Sequence, residues 1–157
     1  MKVIACLTAG IALLMLPQRS IGQSTTSTEE PTVSQKREVG KEVVAPGTPY
    51  SPGILIGNSL YIAGLQGTDI QTHKLPSDFS QEVRNCLENV GHVLKDAGMT
   101  YDDVASVQIY LVDISQFPQV NDIYKEYFKG TLPARTTVQV AKLSLGSRIE
   151  ISAIAQK

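Results

Sequence analysis

The segment Pro133-Ala134-Arg135-Thr136-Thr137-Val138 places an arginine where a loop runs into a β-branched stretch. A guanidinium held at such a point offers a planar fork of N–H donors that fits a carboxylate through two parallel hydrogen bonds. An exposed arginine at the start of a surface strand is the plain alternative. The last apolar stretch contains a second candidate, in Arg148-Ile149-Glu150-Ile151. If Ile149 and Ile151 point to one face of a strand, Glu150 points to the other. A carboxylate there can act as a general base or hold a water, or it is simply an exposed strand glutamate. Tyr50 sits in a proline-stiffened loop, Gly47-Thr48-Pro49-Tyr50, where a phenol can line a pocket, donate one hydrogen bond or pack. Asn121 stands beside Val120 on a predicted helix, where most amides are plain surface groups.

Other chemistries lack their residues. The chain has no phosphate-cradling glycine loop before a helix, no HExxH and no Gly-x-Ser-x-Gly elbow. Its two histidines, His73 in a loop and His92 on the exposed side of a helix, read as solvated bystanders, which removes a triad or a histidine-based metal site. Cys6 falls in the N-terminal apolar run, so removal of that run leaves Cys86 alone, without a disulfide partner or a zinc ligand set. Formal net charge is −1. A mildly acidic chain lacks the basic footprint that phosphate-backbone binding needs, so nucleic acid is a disfavoured partner.

The elements that would position these residues begin after a processed leader. Met1–Gly22 reads as a secretory signal: Lys2, an apolar run from Val3 to Leu16, the break at Pro17, and small residues Ser20 and Gly22 before a cleavage point at Gln23. The expected location is therefore exported, periplasmic or secreted, with no membrane span after processing; an uncleaved N-terminal anchor is the alternative. Residues 23–39 are polar and read as a disordered linker, and residues 40–157 as the domain.

Within the domain, Ile54–Ile56 and Leu60–Ala63 flank Gly57-Asn58, a hairpin signal. Gly64 and Gly67 follow, where the chain can bend or approach something closely. Phe79, Val83, Leu87, Val90, Leu94 and Ala97 recur at helical spacing, with Ser77 or Asp78 as cap and Gly98 as stop. Val104–Val112 reads as a buried central strand. A second helix carries Phe117, Val120, Ile123, Tyr127 and Phe128, with Ser115 as candidate cap and Gly130 at its end. Thr136–Leu143 and Arg148–Ala155 read as two closing strands. The predicted order is ββαβαββ, an α+β fold with two helices on one face of a mostly antiparallel sheet.

These segments resemble the RidA/YjgF family, also described as endoribonuclease L-PSP or translation-inhibitor proteins. The resemblance rests on Pro49-Tyr50-Ser51-Pro52-Gly53, Leu60-Tyr61-Ile62-Ala63-Gly64, Val120-Asn121-Asp122-Ile123-Tyr124, Pro133-Ala134-Arg135-Thr136-Thr137-Val138 and Ile149-Glu150-Ile151, in order from about Val43 to the C-terminus. It implies a chorismate-mutase-like subunit in a homotrimer with clefts between subunits. It also implies hydrolysis of reactive 2-imino and enamino acids to 2-oxo acids and ammonia, without metal or organic cofactor. The match assigns Arg135 to the substrate carboxylate, Glu150 to the attacking water, and Tyr50, Asn121, Gly64 and Thr137 to the substrate pocket. The chain departs from the family at Ala63, where serine is common, and at Thr137, where cysteine is common. An exported small-acid-binding trimer without turnover is a second expectation, and a ribonuclease a third.

Overall fold

The computed structural model describes residues 35–157. The signal reading of residues 1–22 lies outside them, as does most of the linker reading of residues 23–39. The last part of that linker is in fact a strand, β1 (Lys36–Val39), followed by β2 (Gly53–Ile56) and β3 (Ser59–Gln66). Then come α1 (Phe79–Asp96), β4 (Val104–Leu111), α2 (Phe117–Tyr127), β5 (Ala134–Gln139) and β6 (Ile149–Gln156). The order is thus βββαβαββ. The extra strand escaped the sequence reading because three of its four residues, Lys36, Arg37 and Glu38, are charged and exposed, and only Val39 is buried. Its backbone pairs with β2 at an edge of the sheet, where charge on the outer strand discourages further pairing.

One six-stranded sheet has the order β1-β2-β3-β6-β4-β5. Every pairing is antiparallel except β4 with β5, which are joined by the crossover helix α2. The strand read as central, β4, lies one place in from the edge; β6 occupies the interior between β3 and β4. Burial alternates along β6, with Ile149, Ile151, Ala153 and Ala155 inside and Glu150, Ser152 and Ile154 outside.

Both helices lie on the face that carries Leu60, Ile62, Leu65, Val107, Ile109 and Ile151. Asp78 caps α1, its side chain accepting from the Gln81 amide at 2.8 Å. Gly98, at φ +73°, ends it. The second cap falls elsewhere than expected: Asp113, not Ser115, caps a 3₁₀ turn at Ile114–Gln116 that runs into α2. An Arg84–Glu126 ion pair joins the two helices. Among the described residues no helix is long and apolar enough to cross a membrane.

Among the described residues no helix covers the opposite face of the sheet. Tyr61 and Ile154 are cross-strand partners on it, exposed by 50% and 38%, and Val138 adds 41%. Isolated exposed apolar residues are ordinary, but neighbours on one flat strand face form a surface suited to association. Between them lies a small polar patch, in which Ser152 Oγ donates to Gln108 Oε1 at 3.1 Å and Gln108 Nε2 donates to Ser106 Oγ at 2.8 Å.

Candidate active site

Arg135 is the second residue of the edge strand β5, aligned with Val107 of β4, so its side chain projects on the helix-bearing face. There α2 receives it. Arg135 Nη2 donates to Asn121 Oδ1 at 2.7 Å. The guanidinium lies 4.7 Å from the Tyr124 ring centroid and 5.4 Å from that of Phe117. Cation–π contact with two rings and one amide bond holds the guanidinium in place, and among the described residues most of its N–H groups are left unused. Among the described residues no carboxylate pairs with it. A cavity of about 430 Å³ opens beside it, lined by Asn121, Tyr124, Lys125, Leu132, Pro133 and Arg135. Burial pushes the Tyr124 phenol up to about 12, against a smaller opposing pull from Arg135, so the ring beneath the guanidinium stays neutral at physiological pH. A carboxylate-sized anion is what such an unpaired cation at a cavity wall is fitted to hold.

Glu150 lies elsewhere. It is aligned with Gln66 of β3 and Tyr110 of β4 and points to the open face, opposite to Ile149 and Ile151. Gln66 Nε2 donates to its Oε2 at 3.5 Å and also to Ser144 Oγ at 2.5 Å. Gln66 lines a second cavity, of about 90 Å³, together with Thr48, Tyr50, His73 and Leu145. Tyr50 is half exposed at its rim.

Gly64 sits in the irregular stretch between Ile62 and Leu65 where the β3–β6 register shifts. A Cβ on it would stand 2.2 Å from Glu150 Oε1, so glycine is what admits the carboxylate to this position. Gly64→Ala is expected to give a folded protein whose kcat falls about tenfold, because Glu150 must swing aside and a small misplacement of a reacting group is expensive. Steady-state assays that return an unchanged kcat would show that this placement of Glu150 is not required.

The predicted site residues therefore fall into two clusters. Arg135 and Asn121 form one, and Glu150 and Gly64 the other, with Tyr50 on a cavity that it shares with Gln66. Thr137 lies two residues beyond Arg135 on the same side of β5, but its Oγ1 is buried without a partner among the described residues and is not on the wall of the Arg135 cavity. Tyr124 and Gln66 were missed from the sequence. Tyr124 is one helical turn from Asn121, a spacing that could have signalled it. Gln66 becomes a neighbour of Glu150 only through the β3–β6 pairing.

The two clusters are on opposite faces of one sheet. Strands β5 and β6 are separated by β4, which alone sets them roughly 10 Å apart. Arg135 aligns through Val107 with Ala153, three residues along β6 from Glu150, which adds roughly another 10 Å. A small molecule cannot touch both within one chain.

Comparison with known proteins identifies the family. Residues 40–157 match the family described as endoribonuclease L-PSP. The human protein named 2-iminobutanoate/2-iminopropanoate deaminase is 43% identical over 122 residues, covering 76% of this chain and 89% of its own length. The crystal structure of YyfA, described as a Rid-family protein of unknown function from Yersinia pestis, superposes with a TM-score of 0.73 at 36% identity, covering 78% of this chain and 100% of that one. TdcF of E. coli, solved with bound serine, gives a TM-score of 0.73 at 31% identity over 78% of this chain and 99% of its own. By the family model and by these identities, the chain belongs to the RidA/YjgF family.

Proposed function

We propose that this protein is a hydrolytic deaminase of 2-imino and enamino acids, cofactor-free, with each active site assembled from two copies of the chain in a homotrimer. The observation that carries the reading is the separation of Arg135 and Glu150 on opposite faces of the sheet. Each has the surroundings of a working group: one an unpaired cation beside a cavity, the other a carboxylate admitted by a glycine. Neither is explained by the described residues of its own chain, and an edge strand from one copy laid against the open face of the next would bring the two together. The exposed Tyr61, Ile154 and Val138 supply apolar area for that contact.

The chemistry then needs little. Arg135 holds the substrate carboxylate and fixes the C=N carbon in place, which supplies proximity. Glu150 of the neighbouring copy takes a proton from water as its oxygen bonds to that carbon, and the C=N π electrons move to nitrogen. The same carboxylate returns that proton to nitrogen to give the carbinolamine, then takes the carbinolamine hydroxyl proton as C=O forms and delivers it to nitrogen as the C–N bond breaks, so that imine and water become 2-oxo acid and ammonia with no change in oxidation state. The deaminase name of the human relative and the amino acid bound to TdcF agree with this substrate class.

The test is release of ammonia from freshly generated 2-iminobutanoate, with light scattering on the same sample. Acceleration over the uncatalysed rate by a particle of about three subunit masses is expected. Binding of a 2-oxo acid without acceleration would leave a small-acid-binding protein, and an active monomer would remove the shared site.

A further inference from the structure

The helix α1 is apolar on its buried side except for one row. Glu82, Asn85 and Asn89 are buried, at 1%, 9% and 3% exposure, and their spacing sets them on one helical face. The row faces the ends of the two strands that carry Gln66 and Glu150. Asn89 Nδ2 donates to the carbonyls of Gln66 and Thr68, each at 3.0 Å, and Asn85 Nδ2 donates to that of Gly67 at 3.2 Å. These bonds satisfy carbonyls that would otherwise be orphaned where β3 leaves the sheet.

Glu82 does something different. Its Oε1 accepts from the Arg148 amide at 2.7 Å and from Ser147 Oγ at 2.9 Å, and its Oε2 accepts from Arg148 Nε at 2.6 Å. Ser147 Oγ also lies 2.7 Å from the Ile149 carbonyl, so its single O–H is shared between the two acceptors, and Arg148 Nη2 donates to the Pro76 carbonyl at 3.2 Å. All three donors to Glu82 come from the two residues that lead into Ile149 and Glu150. On the other side, a Cβ at Gly67 would stand 2.0 Å from the Glu82 carbonyl oxygen, so β3 ends in direct contact with the same helical turn. One residue of α1 thereby touches the chain just beyond Gln66 and just before Glu150.

A buried ion pair is weak support for a stability role, because apolar packing of the same volume often serves as well. An apolar side chain at position 82 could fill the space. It could not bind a backbone amide, a hydroxyl and a guanidinium and so fix the start of β6 in both translation and rotation. We infer that Glu82 is a positioning residue for the reaction: it sets the Glu150 carboxylate against Gln66 by holding Ser147 and Arg148. This inference rests on the reading of Glu150 as the group that handles water.

The test is a double-mutant cycle on the full chain, with kcat and KM for 2-iminobutanoate and thermal melting for each variant. Glu82→Gln keeps the shape and two acceptor bonds, and the Arg148 side chain, about one-third exposed, can turn to water, so the fold is retained. The expected result is a kcat lowered about tenfold with KM within about twofold, the signature of a misplaced reacting group. In a Glu150→Gln background the same change should lower kcat by less than about twofold, because the residue it acts through is already disabled. A merely structural Glu82 would give the same factor in both backgrounds. That additive outcome, or a wild-type kcat for Glu82→Gln, overturns the inference and leaves the function standing. A fully active Glu150→Gln overturns the functional reading itself, and the inference with it. If Glu82→Gln does not fold, Ser147→Ala removes one arm of the brace; a kcat lowered about threefold at constant KM supports the inference, and an unchanged kcat overturns it.

Discussion

Arg135→Ala is expected to lower kcat/KM for a 2-imino acid about 30- to 1000-fold while the protein stays folded and assembled. The change removes a charge-assisted, two-point contact with a carboxylate, worth on the order of 2–4 kcal/mol. Arg135→Lys should fail nearly as badly. Lysine keeps the charge, but its compact ammonium has no planar fork to contact Tyr124 and Phe117, bond Asn121 and present two parallel N–H groups to a carboxylate. Folding should survive either change, because the side chain is only partly buried and sits on an edge strand. Steady-state kinetics with light scattering on each variant decides the matter. Full activity in a folded, assembled Arg135→Ala would rule out the carboxylate clamp.

The second large effect is expected at Glu150. Glu150→Gln preserves size and the capacity to accept a bond from Gln66, but it cannot take up a proton. Its kcat should fall about 10²- to 10⁴-fold, the range of general acid–base catalysis. Affinity for a 2-oxo acid, measured by calorimetry, should change little, since the carboxylate of that ligand is held by Arg135. The two variants thus separate along the kinetic scheme, one losing affinity and turnover together, the other turnover alone. Weakened 2-oxo acid binding in Glu150→Gln would instead assign Glu150 to ligand binding.

Much of this was legible in the sequence, for identifiable reasons. The apolar stripe of α1 and the alternation of Ile149, Glu150 and Ile151 are periodic signals, and periodicity reports which side of an element is buried. Arg135 at the start of β5 was also visible, as a basic residue between Pro133 and a β-branched run. What the sequence hid depends on pairing across long separations. Gln66 meets Glu150 only because β6 lies between β3 and β4, and Glu82 reaches Ser147 only because α1 crosses that end of the sheet. Strand β1 was hidden for a local reason, since three charged residues in a row mask a strand whose outer side faces solvent. Thr137 was expected at the ligand, yet strand alternation buries its hydroxyl on the helix side of β5.

The claim on which the rest depends is that one substrate is handled by Arg135 of one copy and Glu150 of another. Mixing the two inactive variants tests it most directly. Arg135→Ala chains keep Glu150, and Glu150→Gln chains keep Arg135, so a trimer containing both has one interface with both groups intact. After unfolding and refolding an equal mixture, about a quarter of wild-type activity should return, although each variant refolded alone stays inactive. A mixture no more active than its separate components, with mixed trimers confirmed by mass, would contradict a shared site.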